Sequence, residues 1–128
     1  MIVVDTSIWV ATLRSASSPL GPTLRQLLDE DEVALAIPVR SELLSGAGVA
    51  DRPRLRRALS ALPVVYPTDA TWPMIDDWID RAGRAGQRFG FGDLLVGALA
   101  NELGALVWSL DEDFSRMSRL KFVGLYEP

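Results

Sequence analysis

Short apolar runs alternate with longer amphipathic stretches along this chain. Ile2, Val3 and Val4 form a run too short for anything but a buried strand, and it stops abruptly at Asp5. Residues 33–37, 64–66, 105–110 and 122–125 repeat that signature, apolar on both faces as strands of a covered parallel sheet are. The stretches between them carry helical spacing. Residues 7–14 read as a helix entered through hydroxyl caps, and Leu24, Leu27 and Leu28 follow at i, i+3, i+4. Pro38 suits the first position of a helix over 39–45 that Gly46 and Gly48 can end. A helix starting at 51–53 has Leu55, Leu59 and Leu62 as its buried side, and one opened by 69–73 places Ile75, Trp78 and Ile79 on one face. Residues 93–103 are apolar almost all round, which predicts a buried helix closed by Gly104, and a short helix covers 111–117. Strands alternating with helices of these lengths predict an α/β fold, a parallel sheet with helices on both faces.

Ligands of such sheets bind in the crevice outside the carboxyl ends of the strands, so an acid at the end of the first strand points into a site. Helix N-termini lie at that same edge. Asp5 ends the first strand, Glu42 falls in the first turns of the helix after the second, Asp93 opens the buried helix, and Asp111 and Asp113 open the helix after the fourth strand. Each alone is a reasonable helix cap, worth about 0.5–2 kcal/mol. Crowded into one crevice they would repel one another and raise each other's pKa unless a cation were present, and a hard divalent ion such as Mg²⁺ or Mn²⁺ suits an all-carboxylate set.

Composition narrows the chemistry. The 128 residues, 48% of them apolar, are enough for one core, so a single domain over 1–128 is expected. The absence of Cys and His removes disulfides, thiol nucleophiles, Cys/His zinc sites and imidazole acid/base catalysis, leaving carboxylates to carry any reaction. No apolar stretch approaches a membrane span and the chain opens directly into a strand, so a soluble, cytoplasmic protein is expected. The net charge of −4 argues against a nucleic-acid partner, but its distribution does not. All thirteen basic residues except Lys121 are Arg, clustered at Arg52, Arg54, Arg56 and Arg57 and at Arg81, Arg84 and Arg88. Arg is the side chain suited to bidentate phosphate contacts, although such clusters are also ordinary solvated helix faces. The acidic run over 29–32 reads as a solvated helix end.

Four blocks now carry a resemblance: MIVVDTSIW at 1–9, SELLSGA at 41–47, GDLLVGALA at 92–100 and LVWSLDEDF at 106–114. In this order they resemble the signature blocks of PIN-domain ribonucleases, in particular the VapC toxins of bacterial toxin-antitoxin pairs. The resemblance implies that Asp5, Glu42, Asp93 and Asp111 are the catalytic, metal-binding acids, with Asp113 a possible further ligand and Thr6 a polar neighbour of the first acid. It implies a PIN-like three-layer sandwich with strand order 3-2-1-4-5, Mg²⁺ (or Mn²⁺) dependence, an RNA substrate, a dedicated VapB-type antitoxin partner and a homodimer. The chain departs from the pattern at Ser109, where Thr is usual, and at Leu94 and Leu95, where a small residue and Ile are common.

The implied reaction is metal-assisted hydrolysis, and without His the water route, leaving a 5′-phosphate, is favoured over attack by the RNA's own 2′-oxygen. A response-regulator receiver fits poorly, because strand one supplies a lone acid, the third strand ends in Tyr66 and Pro67, and the only Lys is Lys121. A haloacid-dehalogenase phosphatase would want Asp where Ser7 stands. A PIN-like module that only binds protein is the remaining rival. Apolar residues on more than one face of the first helix, at Trp9 and Leu13, point either to packing against the helix at Asp51 or to a groove that receives an amphipathic helix of a partner.

Overall fold

In the computed structural model, which describes Met1–Pro128, Ile2–Val4 forms β1 with all three side chains buried. It pairs in parallel with β2 (Val33–Ala36) on one side and β4 (Leu106–Trp108) on the other, with Ile2 opposite both Val33 and Leu106. β3 (Val64–Val65) adds beyond β2 and β5 (Gly124–Leu125) beyond β4, giving a five-stranded parallel sheet of order 3-2-1-4-5. The order and the α/β class match the expectation. The strands are shorter than the apolar runs. β2 stops at Ala36 because the helix already begins at Ile37, β4 stops at Trp108 where Ser109 turns into the site, and Phe122 and Val123 precede β5 as buried loop residues.

Seven helices flank this sheet. After β1 come α1 (Thr6–Arg14) and α2 (Gly21–Asp29); after β2, α3 (Ile37–Gly46) and α4 (Arg52–Leu59); after β3, α5 (Thr71–Arg84) and α6 (Phe91–Leu103); after β4, α7 (Glu112–Arg119). The most buried is α6, with every residue from Leu94 to Ala100 inside, which its all-round apolar pattern anticipates. It packs against α3, α5, α7 and the strands β2 and β4, and ends at Gly104 in the left-handed conformation (φ 70°).

The tightest approach along α6 is at Gly97, where an added Cβ would lie 2.5 Å from Met117 Cε, 3.2 Å from Val123 Cγ1 and 3.4 Å from Trp78 Cζ3. Gly97→Ala is therefore expected to destabilise the protein by about 1–3 kcal/mol through overpacking. A urea titration measures this. An unchanged midpoint would mean that the Met117 tip swings clear at no cost.

Two side-chain expectations are corrected. Ile79, placed on the buried face of α5, is 51% exposed, because Ile75, Trp78 and Ala82 already fill the contact. Trp9, placed on an outer face, is 8% exposed, and its indole Nε1 donates to the Val4 carbonyl at 3.2 Å. With Ile8 fully buried beside it, α1 presents two adjacent residues to the core, and only Leu13 of the suspected outer face is exposed, at 63%.

Candidate active site

Asp5 ends β1 and caps α1, and its backbone N–H donates to the Trp108 carbonyl, so the acid sits where the two central strands stop together. Its Oδ2 accepts from Ser7 Oγ at 2.8 Å and from Ser109 Oγ at 2.7 Å. Those hydroxyls, 3.2 Å apart, also accept from the backbone: Leu110 N–H donates to Ser7 Oγ and Asp111 N–H to Ser109 Oγ. The pair thus ties the end of β1 to the turn that starts α7. Asp5 is buried, yet its other oxygen, Oδ1, takes no hydrogen bond and stays in reach of solvent. Thr6, next in the chain, makes no hydrogen bond to Asp5, its Oγ1 being buried with no partner.

Asp93, Asp111 and Asp113 converge, each offering a carboxylate oxygen within 4.8 Å of the other two. Asp93 lies in the first turn of α6, Asp111 caps α7 by accepting from Asp113 N–H at 2.9 Å, and Asp113 lies in the first turn of α7. Asp111 and the possible further ligand Asp113 are therefore present together. Burial pushes the Asp93 carboxyl up to about 7, and its hydrogen bond with Asp113 and the charges of Asp111, Asp113 and Asp5 push the same way. Asp113 is held below the ordinary carboxylate range by Arg116, whose Nη2 lies 2.5 Å from Asp113 Oδ1, and further by its bond with Asp93.

Glu42 is not part of this trio. It is the sixth residue of α3, so about 7.5 Å of helix rise separates it from the start of α3. Its side chain is exposed and lines a groove of about 630 Å³ with Val10, Leu13, Arg14, Leu43 and Arg54.

The Arg clusters divide. Arg52 donates to the Leu44 carbonyl, Arg54 pairs with Asp51, and Arg81 pairs with Asp77, donates to the Leu120 carbonyl and lies over the Phe122 ring. Arg56, Arg57, Arg84 and Arg88 are exposed and enter no ion pair.

The donor set fits a hard divalent cation. Ligand oxygens at about 2.1 Å from Mg²⁺ lie no more than about 4.2 Å apart, so a trio within 4.8 Å needs only small side-chain shifts. The donors are all oxygen, and the negative charge exceeds what Arg116 can neutralise. The sequence marks Ser7 and Ser109 only singly, not as a pair on Asp5, and does not single out Arg116. Asp113 and Arg116 stand at i, i+3, a spacing that could have suggested the ion pair, whereas nothing local links Ser7 to a residue 102 positions away.

Comparison with known proteins places these features in a family. A family model described as the PIN domain matches residues 2–120. The chain is 34% identical to Ribonuclease VapC11 of Mycobacterium tuberculosis and to VapC ribonuclease Mb1587 of Mycobacterium bovis, covering 94% of this chain and 93% of each relative. Among solved structures it resembles VapBC2 from Rickettsia felis bound to a DNA fragment from their promoter, with a TM-score of 0.80 at 19% identity over 98% of both chains, a likeness of fold.

Proposed function

The chain belongs to the PIN-domain family, and from that premise we propose that residues 1–128 form a single nuclease domain that hydrolyses RNA phosphodiester bonds with Mg²⁺ or Mn²⁺, as the homodimeric toxin of a toxin-antitoxin pair. The observation that carries the reading is the convergence of Asp93, Asp111 and Asp113, and the relatives' names as ribonucleases support it.

Asp93, Asp111 and Asp113 would hold the cation, with Asp5 offering the oxygen its serines leave free and Glu42 joining from the groove side. When bound, the cation supplies Lewis acidity toward a phosphate and its attacking water, which no His or Cys is present to replace. The chain's own residues do the rest. Ser7 and Ser109 fix the orientation of Asp5, and Arg116 fixes that of Asp113. Asp93 releases its proton before the trio reaches full charge, so activity should rise through pH 7. The unpaired guanidinium groups of Arg56, Arg57, Arg84 and Arg88 are available to phosphates, and unstacked bases of single strands or loops are the accessible substrate. Without imidazole to act on the 2′-oxygen, water is the nucleophile and the products carry a 5′-phosphate and a 3′-hydroxyl.

The groove supports the toxin part of the reading. Val10, Leu13, Leu43 and Leu55 give it an apolar floor beside Glu42, as an amphipathic partner helix requires, and a basic residue trailing that helix would neutralise the acids and block the site. The natural partner is a small VapB-type antitoxin encoded beside this gene.

Purified protein is expected to cleave single-stranded RNA in millimolar Mg²⁺ or Mn²⁺ and to be inert in EDTA. Equal cleavage in EDTA would remove the cation from the reaction. Mapping RNA 5′ ends after brief induction in cells identifies the target, and sedimentation reads the homodimer.

A further inference from the structure

Arg116 makes three contacts that leave it little freedom. Its Nη2 binds Asp113 Oδ1 at 2.5 Å, its Nη1 donates to Gln87 Oε1, and its guanidinium carbon sits 4.6 Å over the Phe89 ring. The base of this stack is aromatic and packed. Phe89 is buried and meets Phe122 edge-on at 6.3 Å, and Phe122 stacks on Trp78 at 4.5 Å. Gln87 and Phe89 belong to the segment that leads into α6, which carries Asp93, whereas Asp113 belongs to α7. One side chain therefore spans the two helix starts from which the acid trio is built.

We propose that Arg116 is a positioning residue that sets the spacing between Asp93 on α6 and Asp111 and Asp113 on α7, and thereby selects a small divalent cation over a large one. The inference rests on the cation reading above. Its physical basis is the different tolerance of the two ions: Mg²⁺ demands near-ideal octahedral geometry at about 2.1 Å, whereas Ca²⁺ accepts six to eight oxygens at about 2.3–2.6 Å in flexible arrangements. A trio whose helices are no longer braced loses Mg²⁺ binding first. Groups behind the ligands that fix their orientation typically contribute 10–100-fold to metal affinity.

The test is calorimetric titration of Mg²⁺ and of Ca²⁺ into metal-free protein at pH 8, with thermal melts alongside, for wild type, Arg116→Met, Arg116→Lys and Gln87→Leu. Arg116→Met is expected to weaken Mg²⁺ at least tenfold and Ca²⁺ less than threefold. Lys restores the charge beside Asp113 without the fork to Gln87, and should recover only part of the Mg²⁺ affinity. Gln87→Leu keeps the ion pair and cuts the brace at its other end, so it should weaken Mg²⁺ about threefold or more with Ca²⁺ unchanged, and it keeps the test alive if Arg116→Met does not fold. Wild-type Mg²⁺ affinity in Gln87→Leu, full rescue by Lys, or equal losses for the two ions would overturn the proposal and leave Arg116 a simple counter-charge. Failure of wild type to bind either ion would instead overturn the cation reading itself.

Discussion

Asp93→Asn is expected to lower RNA cleavage by more than about a hundredfold while making the metal-free protein more stable at pH 8. The first effect follows from the loss of a charged ligand in a set that has no nitrogen or sulfur donor to fall back on. The second follows from the direction of the pKa shift. Asp93 is raised from 3.8 to about 7, so the folded state binds this proton more tightly than the unfolded chain does. The resulting stability is fully present below pH 3.8 and is lost as pH rises through about 7. Above that pH the folded protein bears a crowded charge that Asn does not carry. Raising a carboxyl from 3.8 to about 7 corresponds to about 4 kcal/mol at most, and screening at a partly solvated group trims this to about 1–2 kcal/mol. Asp113 acts in the opposite sense: its pKa is lowered, so its contribution is present above 3.8 and lost as pH falls. Urea titrations of metal-free wild type and Asp93→Asn at pH 5.5 and pH 8 separate these effects. The variant should gain most at pH 8 and about half as much at pH 5.5, which lies midway between 3.8 and about 7. A variant less stable than wild type at both would mean that Asp93 serves mainly as a helix cap.

Trp9→Asp should abolish folding, whereas Leu13→Asp, four residues on, should leave it intact and weaken the partner complex. Trp9 is buried, and its indole N–H satisfies the Val4 carbonyl at the end of β1. Replacing it removes a packed aromatic and inserts a charge, at a cost of more than about 4 kcal/mol against a typical total stability of about 5–15 kcal/mol. Leu13 is 63% exposed on the groove, where a surface substitution changes stability by about 0.5 kcal/mol or less. Its loss from a helix-binding groove should weaken the complex at least tenfold. Circular dichroism reads the fold of each variant, and co-purification with the product of the neighbouring small open reading frame reads the complex. A folded Trp9→Asp protein would contradict the burial, and full binding by Leu13→Asp would move the partner off this groove.

The contrast between those residues shows where sequence reading stopped. The strand order came from the family resemblance, whereas periodicity located β1 and α6, because a buried run such as Ile2 to Val4 and an all-round apolar helix such as Leu94 to Ala100 have few alternative placements. It misplaced Trp9 because α1, at nine residues, buries two neighbouring positions rather than one stripe, and that is decided by what covers the helix. It shortened nothing correctly at the strand ends, where Ala36 and Trp108 give way to helix and turn under the pull of capping and of Ser109. At the site, the acids at helix starts were legible because chain direction alone brings Asp93, Asp111 and Asp113 to one edge. Position early in a helix does not set which side a residue faces, and Glu42 lines the groove while the trio forms from Asp93, Asp111 and Asp113. The bonds that hold the acids, from Ser109 to Asp5 and from Arg116 to Gln87, join segments distant in sequence and carry no local pattern.

The most direct test of the acid trio as a cation site is the number of protons released when the cation binds. Titrating Mg²⁺ or Mn²⁺ into metal-free protein in buffers of different ionisation heat gives that number calorimetrically. With the Asp93 carboxyl at about 7, roughly half a proton should leave per bound cation at pH 7 and almost none at pH 8.5, and Asp93→Asn should release none at either. Binding without proton release at pH 7, or the same release from Asp93→Asn, would place the cation away from Asp93, Asp111 and Asp113 and contradict the account.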